Sequence, residues 1–402
     1  MTITTLSGGT SSDKTTLKGT DGADLFTIVN NDIHIHGLEG DDTAIITSSV
    51  QNITIDAGAD DDILDFAAEV LNSSLILGFG RDRINIQDFS GSIYGGSGLD
   101  TITVASRRTV TNTLIRGDGG NDDLDLVNLD NTIINTNADD DTIDVTGTTT
   151  SSSIYGGRQS DVINIGQTID SLIRGDAHED RIIITGDLSN TLINGNAGDD
   201  TLLIRATNIT ASTVFGGQGN DVIDSNGDSI YIDGGKGNDD IDTTGDKKHT
   251  IYGGDGEDSI NSNSTKELFI DGGAMKDIIT LTGISETVHS IDGGAGDDII
   301  TATSGVELID GGTEDAGNDT IYSAGGDDTI YGRAGNDLIQ LTADSKIRVH
   351  AGAGDDIIEV RIDHLSYVDT IQGEKGTDTI AIVGNARDYN MWETNTIPEK
   401  AF

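Results

Sequence analysis

The sequence predicts an all-β chain wound as a parallel β-solenoid of about 17–18 coils of roughly 20 residues each. Three observations lead there. The segment GNDTIYSAGGDDTIYGRAGNDLIQL, residues 317–341, spaces Asp319, Asp328 and Asp337 nine residues apart, each followed by a similar apolar pair. Along the rest of the chain the same signature returns at about twice that distance. Glycine supplies 54 of 402 residues while aromatic residues make up 4% and proline occurs once, which suits a thin core repeated many times better than wide globular cores.

Aligning the Gly-rich segments gives the form Gly-Gly-x-Gly-x-Asp-x-apolar, as in GGSGLDTI (95–102), GNAGDDTL (195–202), GGQGNDVI (216–223), GGKGNDDI (234–241) and GGAGDDII (293–300). Its sixth position is Asp42, Asp62, Asp82, Asp100, Asp122, Asp141, Asp161, Asp180, Asp200, Asp221, Asp239, Asp258, Asp277, Asp298, Asp319, Asp337, Asp356 and Asp378, with Asp24 a weaker first member. Two residues after these stands an Ile or Leu, from Leu64 and Ile84 onward to Ile380, with Ala44 the exception. Two residues before the motif stands another apolar residue, such as Ile35, Ile55, Ile93 and Ile115. Short β-branched runs at alternate positions between Gly-rich turns describe strands. No 3.6-residue period survives the glycines, so a helix is untenable.

From Asp42 to Asp378 is 336 residues, and 17 steps of this length average about 19.8. One step is one coil: Gly/Asp turn, strand, second turn, strand. Inward Ile and Leu then form two ladders. The second turn is expected to be a variable polar loop, such as TSSVQN, VTGTTTSSS or TTGDKKH, except at AGGDDT (324–329), where the full motif recurs and makes the nine-residue beat audible. The segments expected are a polar stretch 1–18, the solenoid 19–383 and a tail 384–402 that serves as a cap, an assembly contact or an export signal.

The formal charge of −47 sets this polyanion against nucleic acid and anionic lipid as partners. No apolar run of 18 residues is present, so membrane insertion is not expected, and MTITTLSGGTSSDKTTLKG lacks the basic and apolar regions of a secretory signal. With no cysteine there is no disulfide framework or thiol chemistry.

The acids keep register with the glycines, which a solvated face does not need. A tight turn uses glycine where φ is positive or a Cβ would obstruct. Stacking the sixth-position Asp at the ~4.8 Å parallel strand spacing would set like charges in a column, costing several kcal/mol per neighbour unless cations enter. Carboxylate and carbonyl oxygens on a fixed backbone suit a hard ion. Calcium, with six to eight oxygen ligands, fits better than magnesium. Eighteen turns on the repeated edge leave up to about 17 gaps for Ca2+.

This nonapeptide resembles the hemolysin-type calcium-binding (RTX) repeat over roughly residues 19–380. The resemblance implies a right-handed β-roll, calcium held between successive turns by the motif's Asp and its Gly-rich carbonyls, and export by type I secretion with folding outside the cell. It carries over best to Asp42, Asp100, Asp200, Asp221, Asp239, Asp258, Asp298, Asp337 and Asp356, where the glycines match. Turns with Gln159, His178 or Met275 at the fourth position, the Arg81/Arg83 flanks of Asp82, and the glycine-poor turns before Asp62 and Asp141 are expected to bind weakly. Asp328, alone on the opposite edge, is not expected to complete a site.

His34 and His36 alternate on a strand and read as surface residues. There is no H-E-x-x-H, no G-x-S-x-G and no separate region to house an active site, so an enzyme is not expected. The third motif position presents no flat Thr array, which argues against ice binding. The resemblance extends to RTX surface-layer and filament proteins. It implies a secreted calcium-binding structural protein that assembles with copies of itself at the bacterial cell surface, the alternative being a calcium-dependent adhesin whose loops hold a cell-surface glycan.

Overall fold

In the computed structural model of the chain, the described residues are 2–5, 15–227, 229–245, 248–283, 288–312, 317–343, 346–361 and 370–384. They form strands and turns, with no helix. Two compact units divide the chain, Met1–Ala206 and Thr207–Phe402. Each is a parallel β-solenoid, and between them they carry about 18 turns of roughly 19 residues.

In the first unit, Ile63–Phe66, Arg83–Ile86, Thr101–Thr111, Asp123–Asp130 and Thr142–Thr150 lie side by side in one parallel sheet. Val70–Phe79, Phe89–Ser97, Leu114–Gly119, Ile133–Ala138 and Ser153–Arg158 stack in the other. Register sets like upon like: Leu64, Ile84, Ile102, Leu124 and Ile143 make one inward row, and Leu75, Ile93, Ile115, Ile134 and Ile154 the facing one, all 1% exposed or less. Alternate residues on a strand point to opposite faces, so only one apolar residue in two is needed. Burying each such side chain contributes about 1.5–3 kcal/mol. The ladders begin earlier than residue 19, because Thr2–Thr5 pairs with Asp24–Ile28 and Thr15–Lys18 with Ile33–Glu39. Residues 385–402, most of the expected tail, lie outside the described residues.

The second edge of this unit corrects two expectations. TGTTTSSS is not a loop: its threonines continue the strand Thr142–Thr150, which pairs with Asp123–Asp130 and Val162–Ile169. That extension brings a third inward row, Val110, Leu129, Thr149, Thr168 and Leu188, none more than 2% exposed, where two rows were expected. The chain then turns tightly. Asn112, Asn131, Asp170 and Asn190 hold φ of 52, 49, 50 and 48°, a left-handed conformation that short polar side chains tolerate. The next residues, Thr113, Thr132, Ser171 and Thr191, donate their hydroxyls back to the carbonyl two residues earlier at 3.0, 3.1, 2.7 and 3.1 Å. Such local bonds satisfy a turn's backbone without a loop. The edge is an ordered stack.

The second unit repeats the plan. Val222–Ser225, Asp240–Thr243, Ser259–Ser262 and Ile278–Leu281 form one parallel ladder. Thr213–Gln218, Tyr231–Lys236, His249–Asp255 and Leu268–Ala274 form the other. On the outer face of this second ladder Phe215, Tyr231, Tyr252 and Phe269 zigzag between two register columns, with successive ring centroids 6.2, 5.5 and 5.6 Å apart.

Candidate metal centre

Each Gly-rich turn ends on its sixth-position Asp, whose side chain lies buried at the corner where the turn becomes a strand. In the first unit Asp42, Asp62, Asp82, Asp100, Asp122, Asp141, Asp161, Asp180 and Asp200 are at most 4% exposed. In the second, Asp221, Asp239, Asp258, Asp277, Asp298, Asp319, Asp337 and Asp356 are at most 3% exposed, while Asp378 is half-buried. The expected column exists in both units. Within each unit the Asp backbone N–H donates to Oδ1 of the next Asp: Asp42 to Asp62 at 2.7 Å, Asp122 to Asp141 at 2.7 Å, Asp239 to Asp258 at 2.8 Å, Asp337 to Asp356 at 2.9 Å. Asp24 joins the column through the same bond to Asp42 at 2.8 Å.

One oxygen of each carboxylate is thus fixed. The other, Oδ2, is buried without a hydrogen-bond partner at Asp42, Asp62, Asp82, Asp100, Asp122, Asp141, Asp161, Asp180, Asp239, Asp258, Asp277, Asp337 and Asp356. It sits beside the motif's first glycine. A Cβ on Gly95 would lie 2.7 Å from Asp100 Oδ2 and 2.5 Å from the carbonyl oxygen of Gly117, the first glycine of the following turn. The same convergence recurs at Gly156, Gly234, Gly253, Gly272 and Gly332. The first glycine keeps this space open for oxygens of two successive turns.

Burial without a counter-charge shows in the acidities. Desolvation, partly opposed by the hydrogen bond from the preceding Asp N–H and reinforced by neighbouring carboxylates, pushes Asp62, Asp161, Asp180, Asp239, Asp277 and Asp319 up to about 8. The same balance brings Asp82, Asp100, Asp122, Asp141 and Asp337 to about 7 and Asp258 to about 6. The pairs Arg116–Asp118 (3.9 Å), Lys248–Glu267 (2.8 Å) and His36–Asp56 (2.9 Å) engage surface acids instead.

The donor set is all oxygen, one orphaned carboxylate oxygen per turn with carbonyls of the adjoining turn, and it fits a hard divalent ion such as calcium. Among the described residues no group of three or more acidic or histidine side chains converges on a metal position. The other protein oxygens beside each Oδ2 are backbone carbonyls of the adjoining turn. His34 and His36 stand apart from the column.

The turns expected to bind weakly keep the same backbone. Gln159, His178 and Met275 hold φ of 68, 79 and 79° where other turns have glycine. Asp82, between two arginines, is 1% exposed like its neighbours. Sequence reading missed a second, outer ladder at the fifth motif position. Asn220 Oδ1 accepts from Asn238 N–H at 2.7 Å, Asn318 from Asn336 at 2.8 Å, and Asn336 from Asp355 at 2.7 Å. The signal was the excess of Asn and Asp at a position taken as free. Asp328 lies on the other edge, away from the column, where it accepts from Glu307 N–H.

A family model, the RTX calcium-binding nonapeptide repeat, matches in four copies at residues 210–241, 250–264, 290–315 and 315–339. All four fall in the second unit. In the first unit several turns place Asp118, Asn137, Asp176 and Asn196 in the positive-φ positions that glycine fills elsewhere, so the geometry persists where the motif thins. No curated protein and no solved structure matches the chain. RTX nonapeptides bind Ca2+, and several repeats give several calcium sites. The matched repeats of the second unit, with the stacked turns and parallel coils of both units, support an RTX β-roll repeat protein.

Proposed function

We propose that the protein is a secreted structural component of a cell surface, which folds as calcium enters its Asp column and then assembles with copies of itself into a layer or filament. The observation that carries this reading is the unbroken run of buried carboxylates in each unit, with Oδ2 left over in turn after turn. Ligands for calcium in this reading are Asp42 through Asp200 in the first unit and Asp221 through Asp378 in the second, each with carbonyls of the adjoining turn. An ion-dependent scaffold that fills the chain suits a structural role, and RTX β-roll repeats are generally structural rather than catalytic. RTX proteins are typically exported by type I secretion, which supports a site of action where calcium is abundant. The final described strand, Thr379–Val383, pairs with Ile357–Arg361 and exposes Ile382 and Val383 by 53% and 48%, an apolar edge suited to contact between copies.

The adhesin reading rests on a different feature, the row of rings from Phe215 to Phe269 on the outer face. Adding calcium to chelated protein and imaging it by electron microscopy separates the two. Ordered sheets or fibres are the expected result. A monodisperse monomer at saturating calcium contradicts assembly, and glycan binding by that monomer favours the adhesin.

A further inference from the structure

On the second edge of the second unit, Glu307 and Asp328 occupy neighbouring register positions, since Leu308 pairs with Thr329. They are 1% and 0% exposed. Three of their four carboxyl oxygens have donors. Glu307 N–H donates to Asp328 Oδ1 at 2.9 Å, the Ser323 hydroxyl to Asp328 Oδ2 at 2.6 Å, and the Thr303 hydroxyl to Glu307 Oε1 at 2.9 Å. The fourth, Glu307 Oε2, is buried and lacks a donor, and the register sets the two residues side by side on adjoining coils. Two ionised carboxylates in contact repel; a single proton between them removes the repulsion and supplies the missing donor.

The groups that shift the acidity of the pair include no cation. His289, in register with Glu307 one coil earlier, is buried, and burial holds its imidazole toward the neutral form. Asp327 adds negative charge beside Asp328. On the following coil Lys346 and Arg348 flank Ile347, the register neighbour of Asp328. Both oxygens of Asp328 already have donors, whereas a column residue such as Asp337 keeps Oδ2 without one, which separates the pair from the Asp column.

We propose that Glu307 and Asp328 share one proton and act as a pH-sensitive latch, tying the turn at 303–308 to the turn at 323–329 while the proton is held and releasing them when it is lost. Glu307 is raised from 4.5 to about 8, by burial first and then by Asp328. The closed state therefore binds more protons than the open one. Closure is strongest at low pH, weakens as pH rises from about 4.5, and levels off above about 8.

Hydrogen exchange by mass spectrometry on the full chain in saturating calcium, corrected for intrinsic rates, tests the latch. Protection of 303–308 and 323–329 is expected to fall about tenfold per pH unit between about pH 6 and 8. Glu307→Gln, whose amide donates to Asp328 at every pH, is expected to make that protection independent of pH. Wild-type protection that ignores pH, or an equal loss in Glu307→Gln, overturns the proposal. So does restoration of the wild type at about pH 9 by calcium beyond what saturates the column, since the occupant is then a divalent ion. If Glu307→Gln fails to fold, the infrared C=O stretch of a protonated carboxyl decides in the wild type. Its loss between about pH 6 and 9 supports the latch, and its absence throughout overturns it.

Discussion

The backbone N–H of Asp141 donates to Oδ1 of Asp161 at 2.8 Å, across one full coil, while Asp161 Oδ2 remains buried without a partner. Half of each carboxylate is consumed in holding the stack together and half is left for an ion. Asp161→Asn keeps the shape and one acceptor but removes the charge. In chelator above about pH 8, where Asp161 is ionised, it is expected to favour the folded coil by about 1–3 kcal/mol, because an uncompensated buried charge is gone. In saturating calcium the sign reverses, since the ions on either side lose a ligand. The β signal of both proteins by circular dichroism, with EGTA and with saturating calcium, reads the crossover.

The raised acidities give the calcium-free protein an unusual pH dependence. Asp62, Asp161 and Asp277 titrate near 8 in the fold against 3.8 when unperturbed. The folded state then binds more protons between these values, so stability falls as pH rises from about 4 to about 8. In EGTA the β signal by circular dichroism is expected to be larger at about pH 5 than at about pH 8, and calcium is expected to abolish that difference.

Gly95→Ala tests the cradle. Its Cβ would meet Asp100 Oδ2 and the carbonyl of Gly117, and φ here is not in the left-handed region, so backbone strain does not confuse the result. A loss of about 1–3 kcal/mol in saturating calcium is expected, from crowding and a displaced ion ligand. Isothermal titration should show at least one fewer calcium bound per chain.

Ala44 breaks the inward row of Ile and Leu, and a small cavity lined by Phe26, Ile35, Ile55, Leu64 and the side of Asp42 lies beside it. Ala44→Val is expected to raise stability by about 0.5–2 kcal/mol without altering calcium stoichiometry. Differential scanning calorimetry alongside calcium titration checks both halves.

The coil and the Asp column were legible because they arise from short-range chemistry that repeats in register: glycine where a Cβ would meet Asp Oδ2, and Ile or Leu two residues later. The second edge was not. Asn131-Thr132 and Asn190-Thr191 look like ordinary loop residues, and their turn becomes visible only when the left-handed φ of the Asn and the hydroxyl bond of the Thr are seen together. The third inward row escaped for a similar reason, since Thr149 and Thr168 are buried threonines that read as surface. Glu307 carries no motif, and only register shows that it stands on Asp328.

The most direct measurement is the sheet content of the protein by circular dichroism after exhaustive EGTA dialysis at neutral pH, with elemental analysis of the untreated sample. Bound calcium at several ions per chain, and loss of the β signal on its removal with recovery on its return, is the expected result. Unchanged β signal after dialysis, from a sample that held no divalent metal at the outset, would contradict the claim that ions between its stacked acids hold this solenoid together.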